Sequence, residues 1–410
     1  MPTLLQINVT ANSGSTGRIA EDLGKIAINN GWESWIAYGR GNPHSQSKLI
    51  RIGSDFDMNL HGLQTRLFDN HGLASKKATK HFIKQIKAIN PDIIHLHNIH
   101  GYYINYEILF DYLKEWGGPV VWTLHDCWTF TGHCSHFVTA NCDKWKATCY
   151  NCPLKKEYPA SFLFDRSKKN HQIKKEKFTT LDNLILIPVS NWIDNLLKES
   201  FFKFTKTRVI HNGIDLTAFC PKETSLSNLD KYTIPDNKKY VLGVAGTWTK
   251  DKGLYDFYKL RKILSKDIGI VLVGVSDKIS DNLPAGIIGI KRTESIHELS
   301  LLYSNAIAFI NPTWADTYPT TNLESIACGT PVITYRTGGS PESVNQSIGL
   351  VVEQGDIESL NNAIMEIINC CTNARFKQST CRDYALKNFD KETHFKEYFE
   401  IYNNLISSKR

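Results

Sequence analysis

Short apolar runs, each followed by a polar turn and an amphipathic stretch, recur along the chain. In the first half the runs are Leu4–Val9, Trp35–Tyr38, Ile93–Leu96, Val120–Leu124 and Leu184–Val189. Between them, apolar residues three or four apart predict helices, as in Gly17–Asn30 and Ala78–Asn90. The second half repeats the scheme, with runs at Tyr240–Ala245, Ile270–Val275, Ile287–Ile290, Ile307–Ile310 and Pro331–Tyr335. Helices are expected there at Leu254–Ser265, Ser295–Asn305 and Leu323–Cys328, and Ser295 with Glu298 reads as a capping box. Strand–helix alternation of this kind predicts parallel, doubly wound sheets covered by helices on both faces.

Two such sheets are expected, on either side of a break near 208–236 that holds His211-Asn212-Gly213-Ile214-Asp215, Pro221 and Pro235. The boundaries predicted are an N-terminal α/β domain over 1–209, with a cysteine-rich and basic insertion at 127–177, and a second α/β domain over 210–385. A final helical segment, 386–410, follows. Parallel sheets bind ligands outside the carboxyl ends of their strands, so two facing sheets would frame a cleft from their strand-end loops.

The 410 residues, 41% hydrophobic and 22% charged, exclude disordered, collagen-like and low-complexity classes. No stretch approaches the roughly 18 to 20 apolar residues of a membrane span. Met1-Pro2-Thr3 runs straight into an apolar segment with no basic leader, so a cytoplasmic protein is expected. The net charge is +7, and the residues from Lys155 to Lys177 alone carry +5. A basic segment suits an anionic membrane or an anionic substrate, placing the protein on the inner face of the plasma membrane; a solvated helix face would look the same. No aromatic-interleaved basic motif argues for nucleic acid.

Five of the ten cysteines fall close together: Cys127, Cys134, Cys142, Cys149 and Cys152. In a reducing compartment Cys134, Cys142, Cys149 and Cys152 could supply four thiolates to a tetrahedral structural zinc. Only the last pair has a usual ligand spacing, so free or disulfide-linked thiols account for the segment as well, with an iron–sulfur cluster as a third reading. Cys220, Cys328, Cys370, Cys371 and Cys381 are scattered and need no more than burial.

Candidate chemistry lies where strands end. The first strand runs into Asn12-Ser13-Gly14-Ser15-Thr16-Gly17-Arg18, where Gly14 and Gly17 would let an anion approach a helix N-terminus. The loop is neither a Walker loop nor G-x-G-x-x-G, so a nicotinamide cofactor loses its main support. Two other strands end in His95-Leu96-His97 and His125-Asp126, where His125 could contact a sugar hydroxyl or move a proton. In the second half, Gly246-Thr247 leads to Lys252-Gly253, a fixed positive charge at a strand–helix loop that suits a diphosphate. Asp316 and Glu324 follow another strand with seven residues between them, and Thr320, Thr321 and Asn322 open the intervening helix. Glu324 could accept both ribose hydroxyls, Asp316 the hydroxyls of a sugar, and Lys252 could offset the repulsion between these carboxylates and a diphosphate.

Asp316-x7-Glu324 followed by Ala327-Cys328-Gly329-Thr330-Pro331-Val332-Ile333 resembles the E-x7-E region of glycosyltransferase family 4, retaining enzymes of the GT-B fold. The likeness runs through Gly14, Val189-Ser190-Asn191, His211–Asp215 and Gly246…Lys252-Gly253 in the family's order. The cysteine segment is similar to that of the colanic-acid-type branch, enzymes of bacterial surface polysaccharide assembly. The resemblance implies transfer of a hexose from a UDP- or GDP-sugar, with retention, to a glycan or polyprenyl-diphosphate-linked acceptor. It implies Glu324 on the ribose, Lys252 on the diphosphate, Asp316 on the transferred sugar in place of the family's first glutamate, and His125 beside that sugar. It also implies a final helix that packs back on the first domain and no catalytic metal. Thr247 stands where the family commonly has arginine, so neutralisation would rest on Lys252, helped by Arg18, Lys250 or Arg292. The rival readings are a nucleotide-sugar epimerase of the same architecture and a GT-B-like adaptor without turnover.

Overall fold

The computed structural model describes residues 1–222, 232, 234, 239–370 and 375–407. Pro235 of the expected break and Cys371 lie outside them. The chain divides into two compact units, Met1–His211 joined by the residues from Phe395, and Asn212–His394.

The first unit carries a seven-stranded sheet in the order β3-β2-β1-β4-β5-β6-β7. Its strands are β1 Thr3–Asn8, β2 Glu33–Tyr38, β3 Lys48–Arg51, β4 Ile93–Leu96, β5 Val120–Leu124, β6 Leu184–Pro188 and β7 Lys206–Thr207. All pairings are parallel. Helices α1 Gly14–Asn29, α2 Asp55–Phe68, α3 Lys76–Ile89, α4 Tyr106–Trp116, α5 Ser167–Phe178 and α6 Asn191–Glu199 connect them. Every residue of β1, β4 and β5 is buried, which is why those strands read as mostly apolar runs rather than regular alternations.

The second unit holds a six-stranded parallel sheet, β10-β9-β8-β11-β12-β13. The strands are β8 Lys239–Val244, β9 Ile268–Val273, β10 Ile287–Ile290, β11 Ala308–Asn311, β12 Val332–Tyr335 and β13 Gly349–Val352. Its helices are α7 Leu254–Ile263, α8 Asp277–Ser280, α9 Ile296–Ser304, α10 Thr320–Ala327, α11 Ile357–Asn369 and α12 Gln378–Asn388. The Ser295 hydroxyl caps α9 by accepting the Glu298 amide, whereas the Glu298 carboxylate receives the Glu294 amide instead of closing a capping box.

The last helix, α13 Lys391–Ser407, returns to the first unit. Phe395, Tyr398 and Tyr402 pack there in one core with Leu4, Ile93 and Val121. Fully buried His95 on β4 fixes the join, 2.6 Å from the Tyr402 hydroxyl through Nδ1 and 2.8 Å from Thr123 Oγ1 through Nε2. His95 is therefore a structural residue.

The strand order reverses between β1 and β4 in one sheet and between β8 and β11 in the other. These are topological switch points, and the loops leaving their carboxyl ends are where such sheets take ligands.

Candidate functional site

In the second unit the loops after β8 and β11 are locked together. Trp248 is buried against Phe257 and donates its indole N–H to the Val273 carbonyl, pinning the loop after β8. The Asp251 carbonyl accepts the Trp314 amide (2.7 Å) and the Thr313 hydroxyl (3.2 Å) from the loop after β11. Gly253 begins α7 with φ of 76°, and a Cβ there would meet the Pro312 carbonyl oxygen at 2.2 Å. Only glycine combines that backbone with so close an approach. The lock brings Lys252 Nζ to 2.7 Å from Asp316 Oδ2. The carboxylate raises the ammonium's pKa, so Lys252 stays charged throughout the physiological range.

Asp316 is fixed in turn. Its Oδ1 accepts the Tyr318 amide, and its carbonyl accepts that of Gly339. Four residues on, α10 starts at Thr320, so Thr320 and Thr321 lie in its first turn, where helix N–H groups point outward. Glu324, partly exposed one turn further, accepts a hydrogen bond of 3.1 Å from the buried Tyr303 hydroxyl. Burial, reinforced by Glu324, holds the Tyr303 phenol well above its ordinary pKa, so it remains a donor. Gly246 has open space around it, and Thr247 beside it is exposed, its hydroxyl turned to the Gly246 carbonyl.

In the first unit the loop after β1 is a tight, braced turn. Asn8 Nδ2 donates to the Thr10 carbonyl, and the Asn12 amide donates to the Gly17 carbonyl. Gly14, with φ of 67°, is exposed and unobstructed. Gly17 is buried, and a Cβ there would lie 2.7 Å from Thr10 Oγ1. Its smallness serves helix–loop packing, so of the two glycines only Gly14 could meet a ligand.

His125 follows β5, and a hydrogen-bonded chain decides its tautomer. Gln6 Nε2 donates to the Ala20 carbonyl (2.7 Å), which turns Gln6 Oε1 toward His97 Nε2 at 3.1 Å. An amide oxygen only accepts, so His97 carries its proton on Nε2. Burial, with His95 and His125 nearby, keeps His97 well below its usual pKa, and its Nδ1 therefore holds a lone pair. That lone pair, 3.2 Å from His125 Nε2, requires a proton there. Neutral His125 is thus the Nε2–H tautomer with its lone pair on Nδ1. Burial lowers its pKa to about 4, against the opposing pull of Asp126. Asp126 itself sits 2.8 Å from His100 Nε2; burial raises its pKa, but His100 and the Trp128 amide outweigh that and bring it to about 2. Gln6 carries no motif; its one signal is a polar side chain between Leu5 and Ile7 in a wholly buried strand.

Three other expected contributors stand apart. The Asn322 side chain is fully buried, donating to Ser340 and Ser343 and accepting from Asn311, and its amide donates to the Pro319 carbonyl. It anchors α10 and has nothing left for a ligand. Arg292 is exposed beyond edge strand β10, and no ion pair joins it to Asp316 or Glu324 among the described residues. Cys134, Cys142, Cys149 and Cys152 do line one small cavity with His133 and Trp145. The Cys134 thiol is hydrogen-bonded to Cys152, and Cys149 Sγ accepts the Gly132 amide at 3.2 Å. Among the described residues no group of three or more His, Cys, Asp or Glu side chains is placed to hold a metal ion.

The basic segment is not a uniform solvated face either. Lys174 is buried, its ammonium 3.4 Å from the Trp128 ring centre and donating to the Trp128 and Thr131 carbonyls. Desolvation lowers its pKa to about 7. Lys177 pairs with Asp111 at 2.5 Å.

Residues 16–218 match the family described as Glycosyltransferase Family 4, and residues 227–382 match Glycosyl transferases group 1. The chain belongs to glycosyltransferase family 4. The transferase is 24% identical over 426 aligned positions, covering 98% of its own length and all of the relative's, to WcaC of Escherichia coli, a glycosyl transferase assigned to colanic acid biosynthesis. Its fold is that of solved GT-B structures. Sucrose-phosphate synthase from Thermosynechococcus elongatus superposes over the full length of both chains with a TM-score of 0.74 at 18% identity. Anabaena HepE in complex with UDP-glucose superposes over 98% of the transferase and 99% of that chain, with a TM-score of 0.69 at 14% identity.

Proposed function

We propose that this transferase moves a hexose from a UDP- or GDP-sugar to a glycan or polyprenyl-diphosphate-linked acceptor, with retention, in bacterial surface polysaccharide assembly. The observation that supports this reading best is the Lys252–Asp316 pair at 2.7 Å, set on the loop that leads into the helix bearing Glu324. Glu324, oriented by Tyr303, accepts the ribose hydroxyls. Lys252 and the first-turn amides at Thr320 and Thr321 hold the diphosphate. Asp316 positions the hexose while keeping the ammonium in place.

When the bond from the sugar's anomeric carbon to the diphosphate breaks, its electron pair passes to the leaving phosphate oxygen. Negative charge grows at the atoms Lys252 contacts, so the ammonium binds the transition state more tightly than the ground state. The acceptor hydroxyl attacks the same face, and its proton passes to the departing diphosphate. Asp316, engaged by a lysine, is a poor nucleophile, which favours this single front-face step over a double displacement. Neutral His125, its Nε2–H given to His97, accepts from a sugar hydroxyl through Nδ1 without adding charge. The relatedness to WcaC supports the polysaccharide setting.

Thermal-shift screening of UDP- and GDP-hexoses, followed by acceptor trials, tests the reading. The matched donor should raise the melting temperature, and NMR of the product should show the donor's anomeric configuration. An inverted product, or a donor converted to its epimer without any acceptor, would contradict it.

A further inference from the structure

The surface of α2 is reversed with respect to ordinary amphipathicity. Its buried residues are His61, Gly62 and Thr65, whereas Phe56, Leu60 and Leu63, spaced four and three apart along one stripe, are exposed. Phe56 is 74% exposed. Fraying does not explain the stripe. Ser54 and Asp57 close both bonds of a capping box, and Asp69 ends the helix in a left-handed cap.

A second apolar element is fastened beside it. The Phe162 amide donates to the Arg66 carbonyl at 2.8 Å, and Phe68 stacks on Phe164 with ring centres 5.9 Å apart. The Ser161 hydroxyl holds the Phe164 carbonyl, and its amide holds that of Lys155. Leu163, at the tip, is 63% exposed. Apolar exposure this concentrated, on a capped helix and a hydrogen-bonded loop, marks an interaction surface.

Its partner is indicated by the charge around it. Leu60 borders a cavity of about 510 Å³ that is also lined by Lys76, Lys77, Arg166 and Lys169, against two carboxylates, Asp57 and Glu107. Lys155 and Lys156 lie in the turn that supports the 162–164 loop. Lysine is depleted in protein–protein interfaces, while apolar side chains rimmed by lysine and arginine match an anionic lipid surface. Among the described residues no helix is long and apolar enough to cross a membrane, so attachment would be interfacial.

We propose that α2 and the 162–164 loop dock this protein on an anionic bilayer, Leu63 and Leu163 entering the acyl boundary while Lys76, Lys77 and Lys169 meet acidic headgroups. This goes beyond the catalytic reading and does not depend on it. It also relocates the basic segment's membrane role, since Lys174 and Lys177 are committed internally and α2 supplies the apolar half.

The test is co-sedimentation of the full-length protein with phosphatidylcholine vesicles, with and without phosphatidylglycerol. Binding is expected only with phosphatidylglycerol and should weaken in high salt. Leu63→Ser with Leu163→Ser should lower the partition coefficient about tenfold. Lys76→Glu with Lys77→Glu should lower it at low salt and leave little salt dependence. All substituted side chains are exposed, so circular dichroism and melting temperature should match wild type, and a Phe56→Ser variant gives a second reading of the stripe. No partition onto anionic vesicles, or equal partition by wild type and all variants, would overturn the proposal. A concentration-dependent dimer that Leu63→Ser abolishes would assign the face to a second copy of the chain and also overturn it.

Discussion

The loops at the carboxyl ends of the two sheets follow opposite electrostatic plans. In the second unit the functional groups are charged and partly exposed: Lys252 against Asp316, with Glu324 held by a tyrosine. In the first unit they are the imidazoles of His97 and His125, kept neutral by desolvation, with the Asp126 carboxylate beside them. The contrast teaches that one family of parallel sheets can specialise its strand-end loops for two tasks. On the proposed reading, charge is placed where a nucleotide diphosphate is recognised and takes up the electron pair of the breaking bond. On the same reading, neutral, directional hydrogen bonding is placed where an uncharged sugar is to be oriented.

The sharpest way to break the comparison is to remove the lysine charge. Lys252→Met should cut kcat by about 10²- to 10³-fold, the scale of losing one transition-state charge stabiliser. Initial-rate measurements with the matched donor check this, and a loss confined to KM would mean that Lys252 binds without catalysing. Next comes the neutral side. Gln6→Leu removes the acceptor that sets the His97 tautomer, and should lower kcat about tenfold with KM little changed, the pattern of an interaction made chiefly in the transition state. A change in KM alone would place His125 outside the chemistry.

The buried histidines also make acid stability a readout. Burial takes His61 and His125 to about 4 and His95 to about 3. Because these folded-state values lie below the unfolded value near 6.5, the unfolded chain binds more protons in acid. The stability tied to neutral imidazole is therefore complete above pH 6.5 and is lost progressively as pH falls toward 4 and 3. Denaturant titrations across that range should show the decline starting above the carboxylate range, and His61→Asn should make it shallower.

The smallest effect concerns Thr247, which is exposed beside an unobstructed Gly246. Thr247→Arg should tighten nucleotide-diphosphate binding only a few-fold, since an exposed charge pair contributes under about 1 kcal/mol. A much larger gain would mean that Lys252 alone leaves the diphosphate under-neutralised.

How far the sequence spoke depended on burial and spacing. Central strands such as Ile93–Leu96 announced themselves because both faces are covered. Edge strands β3, β7 and β13 did not: they pair on one side only, and Lys206–Thr207 is wholly exposed. The glycine at 253 and the acidic pair were legible because a positive φ and a turn-then-helix spacing demand particular residue types. Asn322 misled, since a polar residue at a helix start looks alike whether it faces a ligand or, as here, ties the helix to Asn311, Ser340 and Ser343. The Gln6–His97–His125 chain was invisible because its members are 91 and 28 residues apart and meet only through the sheet register. The α2 stripe was equally hidden, because periodicity shows an apolar face without telling which way it points.

The central claim is that Lys252 and Glu324 grip one nucleotide diphosphate, and isothermal titration of wild type, Lys252→Met, Glu324→Gln and His125→Ala with UDP and with GDP tests it most directly. One of the two nucleotides should bind wild type, lose about tenfold in affinity with each of the first two variants, and bind His125→Ala as tightly as wild type. Unchanged affinity in both Lys252→Met and Glu324→Gln would contradict the account.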